Sequence, residues 1–73
     1  MKFPQVERDP MTNGVKGKSA IAVYEFLAEE ADFEGDTVRA AIFKAQAKRL
    51  QNILPASVSD KYVNEAISKW GTR

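Results

Sequence analysis

Residues 19–55 read SAIAVYEFLAEEADFEGDTVRAAIFKAQAKRLQNILP, and this stretch decides the fold. Its first half places Ile21, Tyr24, Leu27, Ala28 and Ala31 at three- and four-residue spacing, the mark of one helical face. A first helix is predicted from about Ser19 to Ala31, with Ser19 as N-cap, because a seryl hydroxyl accepts from an orphan amide of the first turn. Gly35 breaks the pattern. Asp36 then caps a second helix, about Thr37 to Leu54, that Pro55 terminates. On a wheel of 100° per residue the predicted core face of this helix is Ile42, Phe43, Ala47, Leu50, Ile53 and Leu54. Lys44 and Lys48 fall opposite, beside Gln51.

Outward from this pair of helices the signals weaken. After a short linker, 55–58, a third helix is predicted from about Ser59 to Trp70, with the apolar stripe Tyr62, Val63, Ala66, Ile67 and Trp70. Ser57 followed by Asp60 fits a capping box, and Ser59 competes as cap. Gly71 suits the C-terminal end. Residues 1–18 read as a flexible or extended arm. Pro4 and Pro10 remove backbone donors, and Asn13-Gly14 signals a turn. A short strand near Phe3–Val6 is compatible with this, but Pro10 argues against a long hairpin. The expected architecture is all-α: a small three-helix bundle, residues 19–73, with an extended N-terminal arm. Tyr24, Phe26 or Leu27, Phe43, Tyr62 and Trp70 are the expected core anchors.

The chain has 73 residues, which sets the scale. A single core of that size rarely supplies more than about 3–5 kcal/mol. Without Cys there is no disulfide or thiolate chemistry, and without His the commonest metal ligand and proton shuttle are missing. The longest apolar runs are too short to span a bilayer, and no signal-peptide pattern opens the chain. The expectation is a soluble, cytoplasmic binding or regulatory module that works as a monomer, with no cofactor, no membrane and no enzymatic activity.

The net charge of +1 hides a segregation. Residues 19–36 carry Glu25, Glu29, Glu30, Asp32, Glu34 and Asp36 and no cation. Residues 37–59 carry Arg39, Lys44, Lys48 and Arg49 and no acid. The acids crowd the C-terminal end of the first helix, where the helix dipole opposes them. They call for a partner, either the basic second helix or an external basic surface. Glu29, Glu30 and Glu34 are therefore one candidate docking patch, and Lys44 and Lys48 are another. A third is the arm, where Lys2, Phe3, Val6 and Arg8 combine charge with isolated apolar side chains that complete no stripe.

Motifs with specific chemistry fail on inspection. Gly14-Val15-Lys16-Gly17-Lys18-Ser19 looks like the end of a phosphate loop, but the required first glycine is Thr12. Lys18 and the following amides keep a weaker claim to an anion. Asp32-Phe33-Glu34-Gly35-Asp36 alternates like a calcium loop, yet its sixth and twelfth positions are Thr37 and Phe43. No carboxylate is marked as buried, as a paired-acid hydrolase requires. A helix-turn-helix would present Asp60, Lys61, Asn64, Glu65, Ser68 and Lys69 to DNA, and there two acids offset two lysines.

The opening Met1-Lys2-Phe3-Pro4-Gln5-Val6-Glu7-Arg8, the acidic-then-basic helix pair and the ending Lys69-Trp70-Gly71 resemble the small transcription regulators of lytic Xanthomonas phages. That resemblance implies a non-catalytic protein that docks on host RNA polymerase near its β and β′ subunits. It would inhibit σ-dependent initiation and could affect termination. The alternatives are a small helix-turn-helix-like DNA-binding protein, or an acidic anti-factor that sequesters a basic protein through its first helix.

Overall fold

The computed structural model describes residues 2–71. The chain is mostly helical, with three helices and a small two-stranded sheet. In chain order the elements are β1 (Val15–Lys16), α1 (Gly17–Phe33), α2 (Thr37–Ile53), β2 (Ser57–Val58) and α3 (Lys61–Ala66). α3 runs on into a π-helical turn, Ile67–Gly71.

The helical hairpin stands as the sequence predicts. Gly35 takes a positive φ of 80°, and Asp36 accepts a hydrogen bond from the Arg39 amide at 3.1 Å as the N-cap of α2. α2 ends one residue early, with Leu54 in the left-handed region at φ 37° and its amide donating back to the Leu50 carbonyl. α1 begins two residues earlier than predicted, at Gly17, because Ser19 is not its cap. The Ser19 hydroxyl is buried inside the helix, where it accepts from the Glu7 amide at 2.9 Å. At the far end of the hairpin Gly17 lies directly against the Pro55 carbonyl, with no room for a Cβ between them.

The core lies between α1 and α2. α1 buries Ala20, Val23, Tyr24, Phe26, Leu27, Ala28 and Ala31, a little over half its circumference. α2 answers with Ala40, Phe43, Ala47 and Leu50. The core face expected for α2 is therefore rotated. Phe43, Ala47 and Leu50 are in it, whereas Ile42, Ile53 and Leu54 are exposed. Small alanines let α1 approach, and the bulk is supplied by Tyr24 and Leu27 from the other side.

Residues 2–16 do not stand off as a free arm; they are folded onto the body, and residues 17 and 18 belong to α1. Arg8 bridges Val15, the Lys16 amide donates to the Glu7 carbonyl at 2.9 Å, and β1 pairs antiparallel with β2 through Val15–Val58 and Lys16–Ser57. The turn between Glu7 and Lys16 is closed by bonds from Asp9 to Gly14 and Asn13 to Asp9, both 2.8 Å, with Asn13 at φ 59°. Val15 sits in the middle of this small sheet and is completely buried. Phe3 and Val6 pack on the core as half-buried residues and are not free anchors on a loose arm.

α3 is shorter than predicted and starts later. Asp60 caps it, accepting from the Tyr62 amide at 2.8 Å, while Ser57, the expected capping-box residue, is in β2. α3 packs against α1 through buried Val63 and Ala66 and meets α2 through the Tyr62 ring, 5.6 Å from Phe43. Tyr62 and Trp70 are consequently not core anchors: each leaves a third or more of its surface in water. Among the described residues no helix is long and apolar enough to cross a membrane.

Candidate functional site

The arm and the π turn enclose a groove. Phe3 meets Phe26 edge-to-face at 5.1 Å, Trp70 meets Phe26 edge-to-face at 5.2 Å, and Phe3 and Trp70 lie near-parallel at 6.5 Å. Phe26, on the buried face of α1, is the fixed ring on which the other two rest. Gly71 closes the end: a Cβ there would stand 3.2 Å from the Phe3 ring. Three wider-spaced residues of the arm, Lys2, Val6 and Arg8, complete the lining with Pro4, Gln5 and Ile67. The groove is open to solvent and holds about 1030 Å³.

Its charge has one sign. No acid lines the groove, and Lys2 and Arg8 stand exposed on its rim. The Lys69 ammonium sits 4.6 Å above the Trp70 ring, which adds a third cation and fixes the indole from above. The Arg8 guanidinium donates to the Asn13 carbonyl at 3.3 Å, so the turn holds it in place. An aromatic floor under a cationic rim suits a segment with an aliphatic or aromatic anchor flanked by carboxylates. Trp70 keeps 36% of its surface exposed, enough to take such an anchor. The π turn carries it, and departures from α geometry of this kind recur at functional sites.

All four arm residues singled out from the sequence therefore line one site. The other candidates lie elsewhere. Lys44 reaches the Asp32 carboxylate at 3.0 Å, so it is partly spent inside the chain and is not opposed to the core in isolation. Lys48, Glu29 and Glu34 are exposed, and Glu30 is half-buried. No local pattern joins Trp70, Lys69 and Ile67 to the arm residues. Trp70, the one tryptophan, was expected to close the core, and its meeting with Phe3 spans the whole chain.

The glycine-rich segment makes a second recess of about 650 Å³, lined by Glu7, Lys16, Lys18, Ser19, Leu54 and Pro55 among others. Its geometry does not fit a phosphate loop. The Ser19 hydroxyl is occupied by the Glu7 amide, Lys16 faces the Glu7 carboxylate at 3.5 Å, and Gly17 is pressed on Pro55. Among the described residues no group of three or more metal-ligating side chains comes together.

Among the described residues one titratable group, the Tyr24 hydroxyl, is strongly perturbed. Burial pushes the Tyr24 hydroxyl far above its usual range, and a hydrogen bond to the Asp60 carboxylate pushes it in the same direction. Tyr24 is on α1 and Asp60 caps α3, so this contact ties the start of α3 to the middle of α1. It holds structure together and lies away from the groove.

Comparison with protein-family models, with curated protein sequences and with solved structures gave no match.

Proposed function

We propose that the chain is a non-catalytic regulator that docks on bacterial RNA polymerase through the groove between its arm and the π turn, in the host cytoplasm. The observation that supports this reading is the convergence of Phe3, Phe26 and Trp70 under the cations Lys2, Arg8 and Lys69. Such a surface takes an acidic segment with a bulky apolar anchor. Binding there in the β/β′ region would disfavour the σ-bound, promoter-opening form of the enzyme and inhibit initiation, with a further effect on termination. The resemblance to phage regulators supplies the polymerase; the groove supplies the chemistry of the contact.

The acidic patch Glu29, Glu30 and Glu34 and the cations Lys44 and Lys48 are secondary contacts in this reading. Each of these side chains reaches solvent at least in part. DNA binding is the reading to be separated from it. The experiment is binding of the tagged chain to purified bacterial core polymerase and, in parallel, to duplex DNA, each at two salt concentrations. Polymerase binding that falls at least tenfold in Arg8→Glu supports the proposal. Binding to DNA alone, weakening steeply with salt as counterions are no longer released, would replace it.

A further inference from the structure

The arm is the outer strand of the small sheet, and one of its edges is unpaired. Arg8 bridges Val15, and Val15 pairs in turn with Val58, so the order is arm, β1, β2. Hydrogen bonds fix which way the arm residues face. The Glu7 carbonyl accepts from the Lys16 amide and the Glu7 amide donates to Ser19 Oγ, both at 2.9 Å, so both main-chain groups of Glu7 turn inward. The Asp9 amide donates to the Gly14 carbonyl and the Asp9 carbonyl accepts from the Asn13 amide, both at 2.8 Å, so Asp9 turns inward too. Successive residues of an extended chain present their amide and carbonyl to opposite edges. Arg8, between Glu7 and Asp9, therefore turns its main-chain groups outward, and so does Val6. Among the described residues these amides and carbonyls have no partner within the chain. Pro4, Val6 and Arg8 all line the groove, so the unpaired edge runs along it.

Given that the groove is a docking site, as proposed above, we infer that its occupant is an extended acidic polypeptide segment that adds to the arm as a further strand. Val6 and Arg8 supply the main-chain bonds, and one bulky apolar side chain of the segment lies against Phe3 and Trp70.

The edge itself selects a polypeptide. It offers donors and acceptors at strand spacing, which another main chain matches group for group. A phosphate backbone brings acceptors alone and would leave the Val6 and Arg8 carbonyls unmatched. From Pro4 to Arg8 the edge is about 13 Å long, so it pairs with about four or five residues.

The charge selects an acidic one. Lys2 and Arg8 stand on the rim, and Lys69 sits over the Trp70 ring. The two acids of the arm are turned to other partners: the Glu7 carboxylate faces Lys16 at 3.5 Å, and the Asp9 carboxylate accepts from the Met11 amide at 2.9 Å. The same charge rejects a second arm as the occupant. Two copies joined edge to edge would set Lys2 and Arg8 of one near those of the other, and Pro4 has no amide to give.

The probe is a short acetylated peptide that alternates glutamate and leucine around one central phenylalanine. It is titrated into the isotope-labelled full chain to about 1 mM and read by amide NMR. The Val6 and Arg8 amides should gain exchange protection about tenfold or more, while the Asp9 and Lys16 amides, already bonded within the chain, keep theirs. N-methylation of one alternate set of peptide amides should weaken binding about tenfold or more, and methylation of the other set should leave it within about twofold. No binding at about 1 mM, equal losses from both methylated sets, or protection that leaves out Val6 and Arg8 would each overturn the inference. Binding of single-stranded oligothymidylate in place of the peptide would overturn it as well and assign the edge to nucleic acid. The polymerase reading fails separately. A chain that takes the peptide through alternate amides but does not bind polymerase keeps the strand addition and loses the polymerase; a chain that binds polymerase but not the peptide does the reverse.

Discussion

Phe3→Ala separates a loose arm from one built into the fold. A free Phe3 would contribute nothing, and its removal would stay within about 0.5 kcal/mol, as for surface substitutions generally. The structure gives it two ring contacts, with Phe26 at 5.1 Å and Trp70 at 6.5 Å, and partial burial on the core cluster. Truncating a fully buried Phe to Ala costs about 3–5 kcal/mol, and Phe3, at most about a third exposed, scales this to about 2–4 kcal/mol. A well-formed aromatic pair accounts for about 0.5–1.5 kcal/mol of such an amount. For 73 residues the core supplies about 3–5 kcal/mol in all, so the variant should lose about two-fifths of it or more. The assay is urea unfolding followed at once by circular dichroism and by emission of Trp70, the only tryptophan. The midpoint should fall with the slope unchanged, and the folded-state emission should shift red as the indole loses its neighbour. A change below about 0.5 kcal/mol with unaltered emission would refute the packing of the arm and, with it, the groove.

Three further substitutions have defined outcomes. Gly17→Ala places a Cβ on the Pro55 carbonyl, so it should destabilise by about 1–3 kcal/mol by chemical denaturation, although alanine is the better helix former. Leu54→Gly relieves a left-handed leucine whose side chain is half in water, and the thermal midpoint should rise by the equivalent of about 0.5–1 kcal/mol. The Tyr24 hydroxyl has a folded pKa above its unfolded value near 10, so its contribution is complete below pH 10 and is lost as pH rises beyond it. Urea midpoints from pH 8 to pH 11 should fall more steeply for the native chain than for Tyr24→Phe; parallel curves would remove Tyr24 from the account.

The helical hairpin was legible because its signals are local. The Ile21–Ala31 spacing, the Gly35 break, the Asp36 cap and the Pro55 stop each act within a few residues, and α2 begins where they say. The rotation of α2 was not legible. Periodicity weights bulky residues, so Ile42 and Ile53 outvoted Ala40, whereas the core had to fit alanines on α2 against Tyr24 and Leu27 on α1. Ser19 misled for a related reason: its hydroxyl is an acceptor, but the donor is Glu7, twelve residues away, and not the helix's own first turn.

The arm shows the same limit at longer range. Its residues were identified as a candidate contact, yet their placement depends on Thr12 bonding Ser57 at 3.1 Å, on Val15 pairing with Val58, and on Phe3 meeting Trp70. Those contacts link positions more than forty residues apart, which no periodicity reports. The segregated charge was legible as composition and less so as structure. The acidic and basic blocks meet through Lys44 and Asp32, while Lys48 and Glu29 remain in solvent.

The most direct test of the docking groove is backbone hydrogen exchange of the chain with and without purified bacterial core polymerase. New protection is expected at residues 2–8 and 67–71, the two walls of the groove. Protection confined to residues 25–34 or 44–49, or exchange unchanged at saturating polymerase, would contradict it.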